Sequence, residues 1–191
     1  MKMKSSAMLM VLLLAGLPAA AQRARRPAPG ENSQIEVTRS ATLRVSLSSD
    51  PGNIFEYLVD ARKLEQWFPD QAVSEAQLGG KYHFRWNNKP GVWSGHFTYF
   101  IRGNTLGFTW QPPGEENETN VQFKLTPQGK QTLVELTHSG FVSNAEMDRA
   151  LKAWVFYLEN LKSVIEEGTD LRRETRPKPA RRTSRGARRG A

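Results

Sequence analysis

From Lys81 to Ser139 apolar side chains recur at every second position through successive short runs, and a long stretch of helical periodicity around Trp154 closes the series. The residues of like parity are Tyr82, Phe84 and Trp86; Trp93, Phe97, Tyr99 and Ile101; Leu106, Phe108 and Trp110; Val121, Phe123 and Leu125; then Val134, Leu136 and His138. A period of two marks strands with one packed and one solvated face. The order therefore predicts an α+β domain in which a curved antiparallel sheet of six to seven strands wraps a helix. Half of the aromatic residues (5 Trp, 4 Tyr and 9 Phe in all) fall between Tyr82 and Trp110, with small residues such as Gly95 among them. Large flat rings beside small residues predict an enclosed cavity, of roughly 300 to 1,000 Å³ if it takes an ordinary ligand.

The remaining elements follow from local chemistry. Glu36 to Ser48 reads as a first strand, with Leu43, Val45 and Leu47 inward and Thr42, Arg44 and Ser46 outward. Asp50-Pro51 starts a helix, aspartate as the cap and proline at the first helical position. Asp60 caps a second short helix running through Leu64, Trp67 and Phe68, which Pro69 ends. Turns are expected at Gly79-Gly80, Asn87 to Gly91, Gly103-Asn104, Pro112 to Glu118 and Pro127 to Lys130. Ser143-Asn144-Ala145-Glu146 is a capping box. After it Met147, Leu151, Trp154, Leu158, Leu161 and Ile165 form an apolar stripe at intervals of four and three, and Gly168 supplies the stop. So long a stripe needs a broad partner, and the concave face of the sheet brings Trp154 against the aromatic strands.

The two ends differ from the middle. Lys2 and Lys4 precede an apolar run from Ala7 to Leu17, and Pro18 leads into Ala19-Ala20-Ala21: residues 1–21 have the layout of a signal peptide cleaved before Gln22, with 22–34 a disordered linker. Arg23, Arg25 and Arg26, just past that point, oppose export, because positive charge stays on the cytoplasmic side. The chain has no cysteine, so disulfides and thiolate metal sites are excluded. The net charge of +8 resides in the ends: residues 35–171 hold 13 basic and 17 acidic side chains, while 172–191 hold nine basic residues and Glu174. Specific nucleic-acid binding is not indicated for the domain over 35–171. The tail over 172–191 reads as disordered, either merely solubilising or able to contact an anionic surface.

Five blocks carry a resemblance: Leu64-Glu65-Gln66-Trp67-Phe68, Gly79-Gly80-Lys81-Tyr82, Leu106-Gly107-Phe108-Thr109-Trp110, Leu136-Thr137-His138-Ser139-Gly140, and Ala153-Trp154 followed by Leu158 and Leu161. In order and spacing they resemble the family called activator of heat-shock-protein-90 ATPase homologue-like, within the SRPBCC superfamily of START, birch-pollen-allergen-like and polyketide cyclase proteins. The resemblance implies a helix-grip fold with an internal apolar cavity for lipids, sterols, polyketides or other hydrophobic small molecules, and in a few eukaryotic members stimulation of a chaperone. An exported chain does not meet a cytosolic chaperone, so the N-terminal layout weighs against that partner.

Inward parity together with the helical stripe gives the candidate ligand-binding set: Trp67, Tyr82, Phe84, Trp86, Phe97, Phe108, Trp110, His138 and Trp154. His138 is the one candidate for acid–base chemistry; against this stands a core histidine bonded near the Ser139-Gly140 turn. His83 and His96 fall on the solvated parity, so no metal triad arises. Glu115, Glu116 and Glu118 sit at a turn and form no facing acid pair. Without a phosphate loop or nucleophile elbow, no cofactor and no catalytic residue are assigned. The sequence reads as an exported, periplasmic or secreted, binding protein for a hydrophobic or aromatic small molecule. The alternatives are an interaction module of the chaperone-activator kind and a cyclase- or hydrolase-like enzyme using His138.

Overall fold

Asp50 accepts a hydrogen bond from the Asn53 backbone N–H at 2.9 Å and Pro51 takes the first helical position, so strand β1 (Arg39–Leu47) gives way to helix α1 (Pro51–Val59). Asp60 does the same for α2 (Ala61–Leu64) through the Lys63 N–H. The computed structural model describes residues 38–174. The expectations for residues 1–34, for Glu36 and for the tail beyond Glu174 lie outside them.

Seven strands form one antiparallel sheet in the order β1-β7-β6-β5-β4-β3-β2, the others being β2 (Gln71–Ser74), β3 (Lys81–Arg85), β4 (Trp93–Ile101), β5 (Thr105–Trp110), β6 (Thr119–Gln128) and β7 (Gln131–Phe141). Helices α1 and α2 carry the chain from one edge strand to the other. The long helix α3 (Asn144–Glu167) and the single turn α4 (Leu171–Glu174) close the fold. The buried core includes Leu47, Ile54, Phe55, Tyr82, Phe97, Val134, Leu136, Trp154 and Leu161. The α+β architecture read from the strand parity and the closing stripe is the one observed.

Three local expectations need correction, and one strand, β2, is not anticipated from the sequence. Strand β4 carries a register shift between Phe97 and Tyr99, so Tyr99 and Ile101 turn outward to more than half exposure while Phe100 packs against the core. One extra residue in a strand reverses the parity of everything beyond it. Second, α2 ends at Leu64, and Trp67 and Phe68 follow in turns. Third, Pro127 lies within β6, and the hairpin is the two residues Gly129 and Lys130. The unanticipated β2 pairs with β3 although its Gln-Ala-Val-Ser sequence shows no apolar alternation.

Helix α3 starts as its capping sequence predicts, with Ser143 accepting from the Glu146 N–H at 3.2 Å. The Glu146 carboxylate reaches past the cap to the Val142 N–H at 3.2 Å. The stop is a left-handed Gly168, φ 70°, with the Thr169 N–H bonded back to the Ser163 carbonyl. From Trp154 onward α3 is sunk into the fold: the buried residues are Trp154, Leu158, Asn160, Leu161, Ser163 and Val164. Lys162 donates to the Ser46 carbonyl at 3.0 Å, and Glu166 accepts from the Ser48 N–H at 2.6 Å, fastening this part to β1. The first half carries Met147 and Leu151 at partial exposure and stands beside the sheet.

Candidate functional site

The interior is closed by ring packing. Phe68 occupies its centre, stacked on Trp154 with centroids 5.2 Å apart at 15° and on Trp67 at 5.1 Å, and meeting Phe84, Trp86 and Tyr157 edge to face. What is left among Phe68, Phe97, Phe108, Phe123 and Trp154 is a void of about 10 Å³. Among the described residues, the space between these rings is therefore far smaller than the enclosed cavity of several hundred Å³ expected from the aromatic face. Gly95 shows why: a Cβ there would lie 2.7 Å from the Tyr82 hydroxyl oxygen, because the phenol crosses β4 at this glycine to donate to the Thr109 carbonyl on β5. The small residue makes room for a ring and leaves no void. Burial holds the Tyr82 pKa well above the usual tyrosine range.

Open space occurs on the outer side of β2 and β3, about 380 Å³ lined by Gln71, Val73, His83, Phe84 and Val92, and beside the first turns of α3. There a cleft of about 240 Å³ runs between the first half of the helix, the β3–β4 hairpin and the β5–β6 loop, walled by Trp93, Trp110, Phe141, Ala150 and Ala153. Lys89, Arg149, Glu115 and Glu146 supply its charges. Deeper in is a recess of about 50 Å³ lined by Phe68, Trp86, Lys89, Trp93, Trp110, Ala150, Ala153, Trp154 and Tyr157. Of the nine residues expected to line a site, Trp86, Trp110, His138 and Trp154 meet at the cleft and recess. Trp67, Tyr82, Phe84, Phe97 and Phe108 are packing residues of the core; the Trp67 indole donates to the Tyr57 carbonyl at 2.8 Å.

His138 forms part of the cleft floor while only 1% exposed. Its Nδ1 accepts from the Trp154 indole N–H at 3.0 Å, and its Nε2 lies 2.7 Å from the Thr119 hydroxyl. That hydroxyl donates its single proton to the Trp110 carbonyl at 2.8 Å, so it accepts from His138. The chain of donors assigns the neutral tautomer protonated on Nε2, and burial lowers the imidazole pKa to about 4. The ring's one available lone pair is occupied by an indole, an arrangement that holds Trp154 and Thr119 in place and leaves no base for chemistry. No cluster of three metal-ligating side chains occurs among the described residues.

Phe68 is set by contacts that sequence reasoning missed. Arg172 donates to the Glu65, Phe68 and Pro69 carbonyls at 2.7 to 3.1 Å and is paired with Asp170 at 2.8 Å. Asn160, wholly buried in α3, donates to the Trp67 carbonyl at 2.7 Å and to Asp170 at 3.1 Å. The Trp86 indole adds a further donor to the Phe68 carbonyl at 3.0 Å. The loop after α2 is thus held by its backbone carbonyls. Arg172 belongs to the folded domain, and the boundary expected at residue 171 moves past it; a single arginine within a basic run gives no sign of this in sequence.

An antiparallel seven-stranded sheet closed on a long C-terminal helix, with two short helices after the first strand, is the helix-grip architecture. The chain belongs to the family of Activator of Hsp90 ATPase homolog 1-like proteins, whose model matches residues 48–166. In fold it is similar to the Aha1 dimer from Colwellia psychrerythraea, at 23% identity over 69% of this chain and 98% of that one, with a TM-score of 0.63. It is similar also to a protein from Mesorhizobium loti, at 20% identity over 69% and 99% of the two chains and a TM-score of 0.61. A third likeness is to an HSP90 activator from Plasmodium falciparum, at 20% identity over 66% and 95% and a TM-score of 0.57. At these identities the likeness is one of fold. No curated protein matches the chain in sequence.

Proposed function

We propose that this protein binds a hydrophobic or aromatic small molecule in the open cleft beside the first half of α3, with no reaction catalysed at His138. The observation that carries the reading is the space beside the start of α3: about 240 Å³ walled by Trp93, Trp110 and Phe141, which shares Lys89, Trp93, Trp110, Ala150 and Ala153 with the recess. Concave, mostly apolar space with a few polar groups is what small ligands occupy. Titrating a library of aromatic and fatty ligands against tryptophan emission tests it. Binding at micromolar concentration, abolished by Ala153→Phe on the cleft wall, is expected; an emission unchanged by every ligand overturns it.

A second reading is a protein-interaction module of the chaperone-activator kind, supported by the family's name and by an interior filled to about 10 Å³. Compartment separates the two. The N-terminal layout supports export to the periplasm or beyond, with the basic tail touching an anionic surface there. N-terminal sequencing of the protein from its own host is expected to begin at Gln22. A cytoplasmic chain beginning at Met1 favours the chaperone reading.

A further inference from the structure

We infer that the ligand of the cleft is an anion: an aromatic or apolar body carrying one carboxylate or similar group, which Lys89 receives at the entrance to the recess. The inference rests on the cleft being a binding site and adds the charge of what binds. Four charged chains line the outer cleft beside the neutral His138, and their signs cancel. Both oxygens of Glu146 are engaged, one by the Asn117 amide at 3.2 Å and the other by the Val142 N–H. Arg149 and Glu115 line the outer space only. Lys89 lines both spaces, and in the recess it is the one charged side chain among rings and alanines.

Its setting points the same way. The ammonium lies 5.1 Å from the centroid of Trp86 and 5.5 Å from that of Trp93, and no carboxylate lies within ion-pair distance of it among the described residues. Two indole faces hold the cation at the junction of outer cleft and recess by their negative π-clouds, yet offer no hydrogen-bond acceptor for its protons. Lys89 is exposed, so water serves its three donors in the free protein, and no protein oxygen takes them. Beside apolar walls that strengthen charge pairing, a ligand that brings its own oxygen atoms can displace that water and pair with the ammonium. Partial desolvation lowers the Lys89 pKa without a compensating anion in the protein. A cationic ligand would meet repulsion at the same point.

Three probes of one shape and different charge test this: 2-naphthoate, 2-naphthylmethanol and protonated 2-naphthylmethylamine, each titrated calorimetrically against the full chain. Naphthoate is expected to bind about tenfold tighter than the alcohol, and the amine most weakly. Lys89→Met is expected to remove the preference for naphthoate and Lys89→Arg to keep it. Equal affinity for all three probes, or a Lys89→Met variant that weakens naphthoate and alcohol alike, overturns the anion assignment while leaving the cleft a binding site. Binding of none of the three, in a protein whose thermal melt is unchanged, overturns both.

Discussion

His138 is the residue at which structure and titration meet most plainly. In the unfolded chain its imidazole takes up a proton near pH 6.5, whereas in the fold burial holds it neutral down to about pH 4. The unfolded state therefore binds more protons across that window. Stability is complete above pH 6.5 and falls as pH drops through it, by up to about 1.4 kcal/mol per pH unit for one proton. Glu166, held low by the Lys162 hydrogen bond, and Asp170, whose burial is outweighed by bonds from Arg172 and Asn160, lose their contributions only at more acid pH. Urea midpoints at pH 7, 6 and 5 should fall in the wild type and run nearly flat in His138→Asn. Phe68 is the other decisive residue: Phe68→Ala should cost about 3 to 5 kcal/mol and join the recess to the inner void, so that an apolar ligand raises its melting temperature more than the wild type's. An equal ligand-induced rise in both proteins would mean that Phe68 does not separate the two spaces. The inward aspect of His138 is legible from strand parity, since Val134 and Leu136 precede it on the same face. Its role was not, because the partners Trp154 and Thr119 come from other elements. Phe68 is expected from the sequence at the end of a short helix, and its place at the centre goes with α2 ending at Leu64.

At the scale of elements, short-range chemistry was readable and long-range fastening was not. Asp50, Asp60, Ser143 and Gly168 act on backbone groups within a few residues, and each does what its position implies. The shift in β4 was hidden because parity carries no mark of an inserted residue; Gly107, where a Cβ would meet the Thr98 hydroxyl at 2.9 Å, is the trace it leaves on the neighbouring strand. The α3 stripe was legible along its length, but what holds its second half down, Lys162 to Ser46 and Glu166 to Ser48, spans more than a hundred residues. The Arg172 clamp is of the same kind. Ending the chain after Glu174 should leave the urea midpoint unchanged, whereas Arg172→Ala should cost about 2 kcal/mol through lost charge-assisted bonds to three carbonyls. A midpoint that does not respond to Arg172→Ala would show that the loop after α2 is held by Asn160 and Trp86 alone.

For the whole molecule, a wide sheet and one slender helix leave volume to be filled, and this chain fills the middle with Phe68 and leaves the end beneath the first half of α3 open. The aromatic face expected to surround a ligand is thus divided: one part is core, the other a wall of an open cleft, and the helix that stands away decides which is which. The central claim is that ligands enter that cleft and not the core, and the indole N–H signals report it directly, since 5 tryptophans are spread between the two regions. In a proton–nitrogen correlation spectrum titrated with 2-naphthoate, the Trp93 and Trp110 indoles and the backbone signals of Ala150 and Ala153 are predicted to shift together to saturation, with the Trp67 indole fixed. Shifts centred on Trp67 with Ala150 and Ala153 unmoved, or a spectrum that does not change, would contradict the account.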